Sequence, residues 1–209
     1  MQARYPQHIV ILVEDLVAAA DTDAIVSWMA ERAMGLRLAA EVPHALVYAS
    51  QKSSGTLGRP RFMTVFETAD PGVTYETLAK PYAHEALRPL GLGAYEYLPG
   101  LPQASRAEPS GGLMVGMTNC TDPSQEESFN AWYDAVHAAD VVRSPWFWNT
   151  QRYRKVFGDL PQYAALYETS LQGSEAMAQY LRWPERVSDM HPCIANVHVW
   201  SFDQTAAEL

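Results

Sequence analysis

Imidazole is the side chain whose ordinary pKa lies closest to neutrality, so the histidines are the first candidates for acid–base chemistry. His137 closes the segment FNAWYDAVH (Phe129–His137). On a helix it sits beside Tyr133 and Asn130, at the flank of an apolar stripe, where it can act as a general base. Its competing role is a structural one, bonded to a backbone carbonyl near the helix end. His198 lies in ANVHVWSF. Strand alternation puts Asn196, His198 and Trp200 on one face and Ala195, Val197 and Val199 on the other. The small apolar set suits packing against helices, so the polar and aromatic set is expected to face a cavity. His44 opens a strand that could mirror the Trp146 strand across that cavity. His8, His84 and His191 sit at a strand start or in loops and read as incidental.

Aromatic residues are dense around these positions. Trp132, Tyr133, Trp146, Phe147, Trp148, Tyr153, Tyr163 and Tyr167 form a wall suited to a planar ligand, or simply a large aromatic core. The strand near Trp146–Tyr153 splits into Trp146, Trp148, Thr150 and Arg152 against Phe147, Asn149, Gln151 and Tyr153, and alternation alone does not say which set faces inward. Arg152 is expected to pair with Glu168, or with an acidic group of a ligand. The candidate substrate-binding set is Tyr133, Trp148, Arg152, Tyr153, Tyr167, Asn196, Trp200 and His44, with His137 and His198 as candidate proton carriers.

Other chemistries lack a signature. No HxH, HxxxH or HExxH spacing supports a metal site. No glycine-rich phosphate loop signals a nucleotide cofactor, and no Gly-x-Ser-x-Gly elbow is present, so no cofactor is expected. Cys120 and Cys193 are the two cysteines. That number rules out a disulfide scaffold, and two reduced thiols in a cytoplasm read more simply than one bridge. The 15 Lys+Arg against 24 Asp+Glu leave a net charge of −9, which argues against a phosphate-tracking nucleic-acid binder. Apolar residues make up 48% and charged residues 19%, values of a globular protein. The apolar run Ile9–Val13 meets Glu14 and Asp15, too short for a membrane span and without the basic flank of a signal peptide. A cytoplasmic protein is expected.

The elements that must position these residues repeat once along the chain. DTDAIVSWMAERA (Asp21–Ala33) matches SQEESFNAWYDAVH (Ser124–His137), with Trp28 on Trp132, Ile25 on Phe129 and Met29 on Tyr133. PRFMTVFET (Pro60–Thr68) matches PQYAALYET (Pro161–Thr169). The boundaries read as 1–98, a Pro/Gly-rich connector at 99–112, and 113–209. Each half has the order βαββαβ: strands from His8–Val13 and Leu113–Thr118, then a helix, two strands, a helix near Thr74–Lys80 or Ser174–Leu181, and a last strand at Gly93–Tyr97 or Ala195–Phe202. In the first helix of the second half, Asp122 and Pro123 form a start signal, and Phe129, Trp132, Tyr133 and Val136 form one buried stripe. The fold class is α+β: two ferredoxin-like βαββαβ repeats whose bare sheet faces pack together into an α+β barrel within one chain, around a cavity.

FNAWYDAVH, QRYRK (Gln151–Lys155) and PQYAALYE (Pro161–Glu168) resemble the dimeric α+β barrel superfamily, in particular its EthD-like branch. Members show a Trp–aromatic pair and a His on the first helix, an Arg-Tyr in the second strand and a Tyr-x-x-x-Tyr/Phe-Glu third strand. The first half has Ala33 where His137 falls and nothing like Arg152-Tyr153, so it reads as a degenerate copy. The resemblance implies the barrel fold, and chemistry seated in the second half. Relatives include cofactor-free cyclases, lactone isomerases and quinone-forming monooxygenases.

The leading expectation is a cofactor-independent lyase or isomerase that moves a proton through His137 or His198 on a small hydrophobic, aromatic or phenolic metabolite. Tyr or Arg side chains would hold the developing oxyanion. Two rivals stand beside it: a non-catalytic binder of such a metabolite and a cofactor-free oxygenase on phenols. Partners reduce to that small substrate, with no nucleic acid and no membrane, and a homodimer left open.

Overall fold

The computed structural model describes residues 6–17, 21–39, 42–50, 57, 59–80, 84–100, 110–186 and 189–208, with backbone alone at 36–39, 196 and 206–208. The elements are β1 (His8–Leu16), α1 (Thr22–Ala39), β2 (His44–Ala49), β3 (Phe62–Thr68), α2 (Pro71–Ala79), β4 (Leu87–Leu98) and β5 (Gly112–Cys120). A broken helical segment follows: a 3₁₀ turn (Pro123–Gln125), α3 (Glu126–Trp132), a π-helical turn (Tyr133–Ala138) and α4 (Ala139–Arg143). The chain ends in β6 (Asn149–Gly158), β7 (Tyr163–Thr169), α5 (Gly173–Arg182) and β8 (Ile194–Glu208).

The strands close into an antiparallel barrel in the order β1-β3-β2-β8-β5-β7-β6-β4. Read from its seams, the ring runs β4-β1-β3-β2 and then β8-β5-β7-β6, joined at β2–β8 and β4–β6. At the second seam Gly158 adopts φ 102°, and a Cβ there would fall 2.1 Å from the Leu92 carbonyl, so glycine is required. Of the expected connector at 99–112, residues 101–109 lie outside those described.

Alternation sorts each strand between two surroundings. Ile9, Ile11, Val13, Tyr95, Val115, Met117, Leu166, Trp200 and Phe202 point into the barrel and pack on one another. Val10, Leu12, Phe62 and Phe66 point outward, onto Ile25, Met29 and Ala33 of α1 and Leu78 of α2. Met114, Tyr163, Ala165 and Tyr167 point outward onto Phe129, Tyr133, Ala138, Val141, Ala176 and Tyr180. The expected chamber between the two sheets is thus occupied by large side chains.

The start signal read at Asp122-Pro123 held, and the helix expected near Thr74–Lys80 begins earlier, at an Asp-Pro pair of the same kind. Asp70 accepts from the Gly72 and Val73 amides at 3.0 Å ahead of Pro71, and Asp122 accepts from Ser124 at 2.9 Å ahead of Pro123. Elsewhere tertiary contacts moved the boundaries. β1 runs through Glu14 and Asp15 because Arg32 of α1 meets both Glu14 oxygens, at 2.8 and 2.5 Å. The stripe Phe129, Trp132, Tyr133, Val136 is broken. Phe129 and Tyr133 are buried, but the wider π-helical turn carries Val136 out to solvent. Val197 and Val199, expected under helices, are exposed on the outer face of β8.

Candidate functional site

Four of the expected residues meet in the layer between the second half's helices and its sheet. β6 carries Arg152 outward, opposite in direction to Tyr153, and its side chain is 5% exposed. Arg152 donates to Asp134 Oδ1 at 2.6 Å and Asn130 Oδ1 at 2.7 Å, and its guanidinium lies 4.1 Å from the Tyr133 ring centre. Tyr167 of β7 donates its hydroxyl hydrogen to Tyr133 at 3.1 Å. Gly116 of β5 makes room for the Tyr133 hydroxyl, since a Cβ there would stand 3.3 Å from that oxygen. His137 stacks on Trp132 at 5.4 Å and 15°, and meets Tyr133 edge-on at 4.9 Å.

The π-helical turn explains this convergence. An i→i+5 turn slips the helix register by about one residue. It holds Tyr133 toward the sheet and swings His137 to the half-buried edge, beside half-buried Trp132. His191, from the segment before β8, closes the same edge against Phe129 and Trp132 at 6.0 and 5.9 Å.

Burial sets the charge states here. It lowers the His137 pKa to about 4, with Arg152 and Arg186 adding to the depression and Asp140 opposing it. The imidazole is therefore neutral at pH 7, with a free lone pair. Burial raises the Tyr133 and Tyr167 pKa values, so both phenols stay protonated as donors. Tyr163, whose hydroxyl donates to Glu126, is pushed up to about 12 by burial and by that carboxylate. Two buried hydroxyls flank the tyrosines: Thr150 pairs with Tyr167 in the ladder and Thr118 with Tyr163, and neither hydroxyl has a hydrogen-bond partner among the described residues. Thr150, Arg152 and Asp134 line a recess of about 10 Å³, room for roughly one water.

The other sequence-predicted residues fall elsewhere. His198 and Trp200 point to the barrel's inner side, stacked at 6.1 Å, on the opposite face of the sheet from His137. Tyr153 also points inward, donating to Gln151 at 2.7 Å. Trp148 precedes β6 and is half-buried, and His44 is exposed at the start of β2. The Asn196 side chain lies outside the described set. The expected Arg152–Glu168 pair is corrected: Glu168 faces inward and accepts from Asn149 at 2.6 Å, whereas Arg152 faces the helices and takes Asp134. Asn130 and Asp134 were not read as partners of Arg152, although their i, i+4 spacing puts them on one helix face. Thr118, Thr150 and Gly116 carried no sequence signal.

A groove of about 530 Å³ opens on the outside, between α5 and the β8–β2 seam, with Met177, Leu181 and Val199 on its floor and Arg59 and Glu175 among its lining. It does not reach the His137 cluster. No cluster of three metal-ligating side chains occurs among the described residues, and none of their helices is long and apolar enough to cross a membrane.

No family model matches the chain, and no curated protein matches it. Solved structures do. A chlorite dismutase mutant from Candidatus Nitrospira defluvii aligns with TM-score 0.61 at 10% identity, over 99% of this chain and 94% of that one. An anthrone oxidase-like protein aligns with TM-score 0.59 at 11% identity, over 95% and 92%. A putative monooxygenase from Fusobacterium nucleatum aligns with TM-score 0.58 at 8% identity, over 96% and 94%. The likeness is one of fold: this chain shares a ferredoxin-like α+β barrel with them.

Proposed function

We propose that the protein is a cofactor-independent enzyme of the dimeric α+β barrel superfamily that removes a proton from a small phenolic substrate and passes the resulting carbanion to dioxygen. The observation that carries the reading is a neutral His137 packed edge-on against the rings of the hydrogen-bonded Tyr133–Tyr167 pair, with Arg152 over Tyr133. A planar ring inserting at the half-buried edge formed by Trp132, His137 and His191 meets the imidazole first. The phenol donors and the guanidinium behind it stabilise the developing phenolate or enolate. An imidazole of such low basicity needs an acidified proton, which fits a phenol or anthrone better than an unactivated carbon acid. In the overall change, a phenol and dioxygen become a quinone and water. Two fold neighbours, an anthrone oxidase-like protein and a putative monooxygenase, favour dioxygen as acceptor over the lyase or isomerase outcome. We further propose that the chain is a tandem duplication of the EthD-like type, with halves 1–98 and 113–209, working in the cytoplasm.

The test is an oxygen electrode with dihydroxyanthrone, naphthols and hydroquinones. Equimolar oxygen uptake and quinone formation is the expected result. Conversion under nitrogen would assign lyase or isomerase chemistry instead. Every compound recovered unchanged would make the site a binder and end the catalytic reading.

A further inference from the structure

We propose that Cys120 and Cys193 are a reversible redox pair that closes to an intrachain disulfide by exchange with a small-molecule disulfide such as oxidised glutathione. The inference is independent of the proposed activity. The cysteines are 73 positions apart in sequence, yet Cys120 Sγ lies 2.7 Å from Cys193 Sγ. They meet because β5 ends at Cys120 and β8 begins at its ladder partner, Ile194. The backbone beyond is already fixed, since the Thr121 amide and hydroxyl both donate to the Cys193 carbonyl, at 2.9 and 3.1 Å. Side-chain rotation is therefore enough to reach a covalent S–S distance of about 2.0 Å, with no strand movement.

Exposure divides the roles. Cys120 is half-buried and meets the reagent, while Cys193 is buried. The Cys120 thiolate attacks one glutathione sulfur and expels a glutathione thiolate, which takes up a proton. Cys193 then gives up its proton and attacks Cys120 Sγ in the mixed disulfide, expelling the second glutathione. The protein loses two electrons and two protons, and the glutathione disulfide becomes two thiols. Burial and the Cys120 neighbour push the Cys193 thiol up to about 12, which holds it back as a thiol until the mixed disulfide forms beside it.

The bridge would staple one edge of the second helix layer. The Cys193 amide donates to His191 Nδ1 at 3.4 Å, and His191 in turn packs on Phe129 and Trp132 of α3 and lies 3.3 Å from the Ser128 hydroxyl. Closing the disulfide ties this segment to the end of β5 and so steadies the half-buried edge beside His137.

The experiment equilibrates the intact protein at rising ratios of oxidised to reduced glutathione, caps remaining thiols with N-ethylmaleimide and reads the intact mass. The expected product is a monomer that takes no cap, has lost the mass of two hydrogens and is restored by dithiothreitol. Cys193→Ser should stop instead at a stable glutathione adduct on Cys120. Hydrogen exchange across 126–132 and 189–193 should slow on oxidation of the wild type. Two thiols that still accept the cap at high ratios, a wild-type glutathione adduct that never closes, or disulfide-linked dimers would each overturn the pair. Unchanged hydrogen exchange in the bridged protein would overturn the stapling.

Discussion

The two helix layers occupy matching places on the barrel and are built from different materials. Ile9 pairs with Glu67 and Leu113 with Glu168, so Leu12 in the first half stands where Gly116 stands in the second. Leu12 fills its space with an aliphatic side chain, against Met29 and Ala33. Gly116 leaves that space open, and the Tyr133 hydroxyl occupies it. Ala33 takes the place of His137. Each layer also buries an arginine, but in different ways. Arg32 and Glu14 neutralise each other from α1 to β1, both nearly inaccessible, with Arg32 also 5.0 Å from the Trp28 ring centre. Arg152 reaches from the sheet toward a helix carboxylate that is 30% exposed, and it keeps its face on Tyr133. The first layer pairs its buried arginine with a buried carboxylate and is otherwise packed mainly with apolar side chains. The second keeps hydroxyls, a neutral imidazole and a cation adjacent to one another, near a half-buried edge. On the proposed reading, the first helix layer serves stability while the second holds the reactive groups.

Removing the imidazole should break this contrast most sharply. His137→Ala should lower turnover by about 10²–10⁴-fold, the usual contribution of a proton-transfer group, with unchanged circular dichroism. His198→Ala, on the far side of the sheet, should leave turnover within a few-fold, as judged by steady-state kinetics on the same substrate. Equal losses in the two variants would move the chemistry out of the second layer.

The arginines should separate next. Arg32→Met strands the buried Glu14 carboxylate and should cost about 3–5 kcal/mol in urea unfolding. Asp134→Asn leaves Arg152 its Asn130 and Tyr133 contacts and should cost about 1 kcal/mol or less. A pH series comes third. His137 titrates near 6.5 when unfolded and near 4 when folded, so as pH falls through this window the unfolded chain binds the proton first. The stability that depends on the neutral imidazole is complete above about pH 6.5 and is lost progressively toward pH 4, by up to about 3 kcal/mol at about 1.4 kcal/mol per pKa unit. His137→Gln should lack that loss, and the difference between the two unfolding series isolates it from the carboxylates common to both. A loss similar to that of the pH series is expected from Gly116→Leu, which gives the second layer the first layer's residue. Crowding the Tyr133 hydroxyl should cost about 1–3 kcal/mol, read by thermal unfolding.

Much of the scaffold was legible from the chain because the signals are local. The repeated strand–helix order, the Asp122-Pro123 helix start and the alternation of Ile9, Val10, Ile11 and Leu12 all depend on neighbours within one or two turns. The candidate site was legible as a list of residues but not as an arrangement. Tyr133, His137, Arg152 and Tyr167 were recognised together with Tyr153, His198 and Trp200, which the sheet places on its other side. The strand pattern at Trp146–Tyr153 is polar and aromatic on both faces, so alternation alone could not orient it.

Residue type and period were enough to specify the α+β composition, the order βαββαβ twice over and the concentration of aromatic residues after residue 113. Only the tertiary structure decided which histidine lies with the paired tyrosines, that Arg152 takes Asp134 rather than Glu168, and that the barrel interior is filled. Those outcomes depend on contacts between segments far apart in the chain and on a π-helical turn that shifts the register of one helix. No periodicity encodes them, because they are settled by which side chains fit together once the ring of strands has closed.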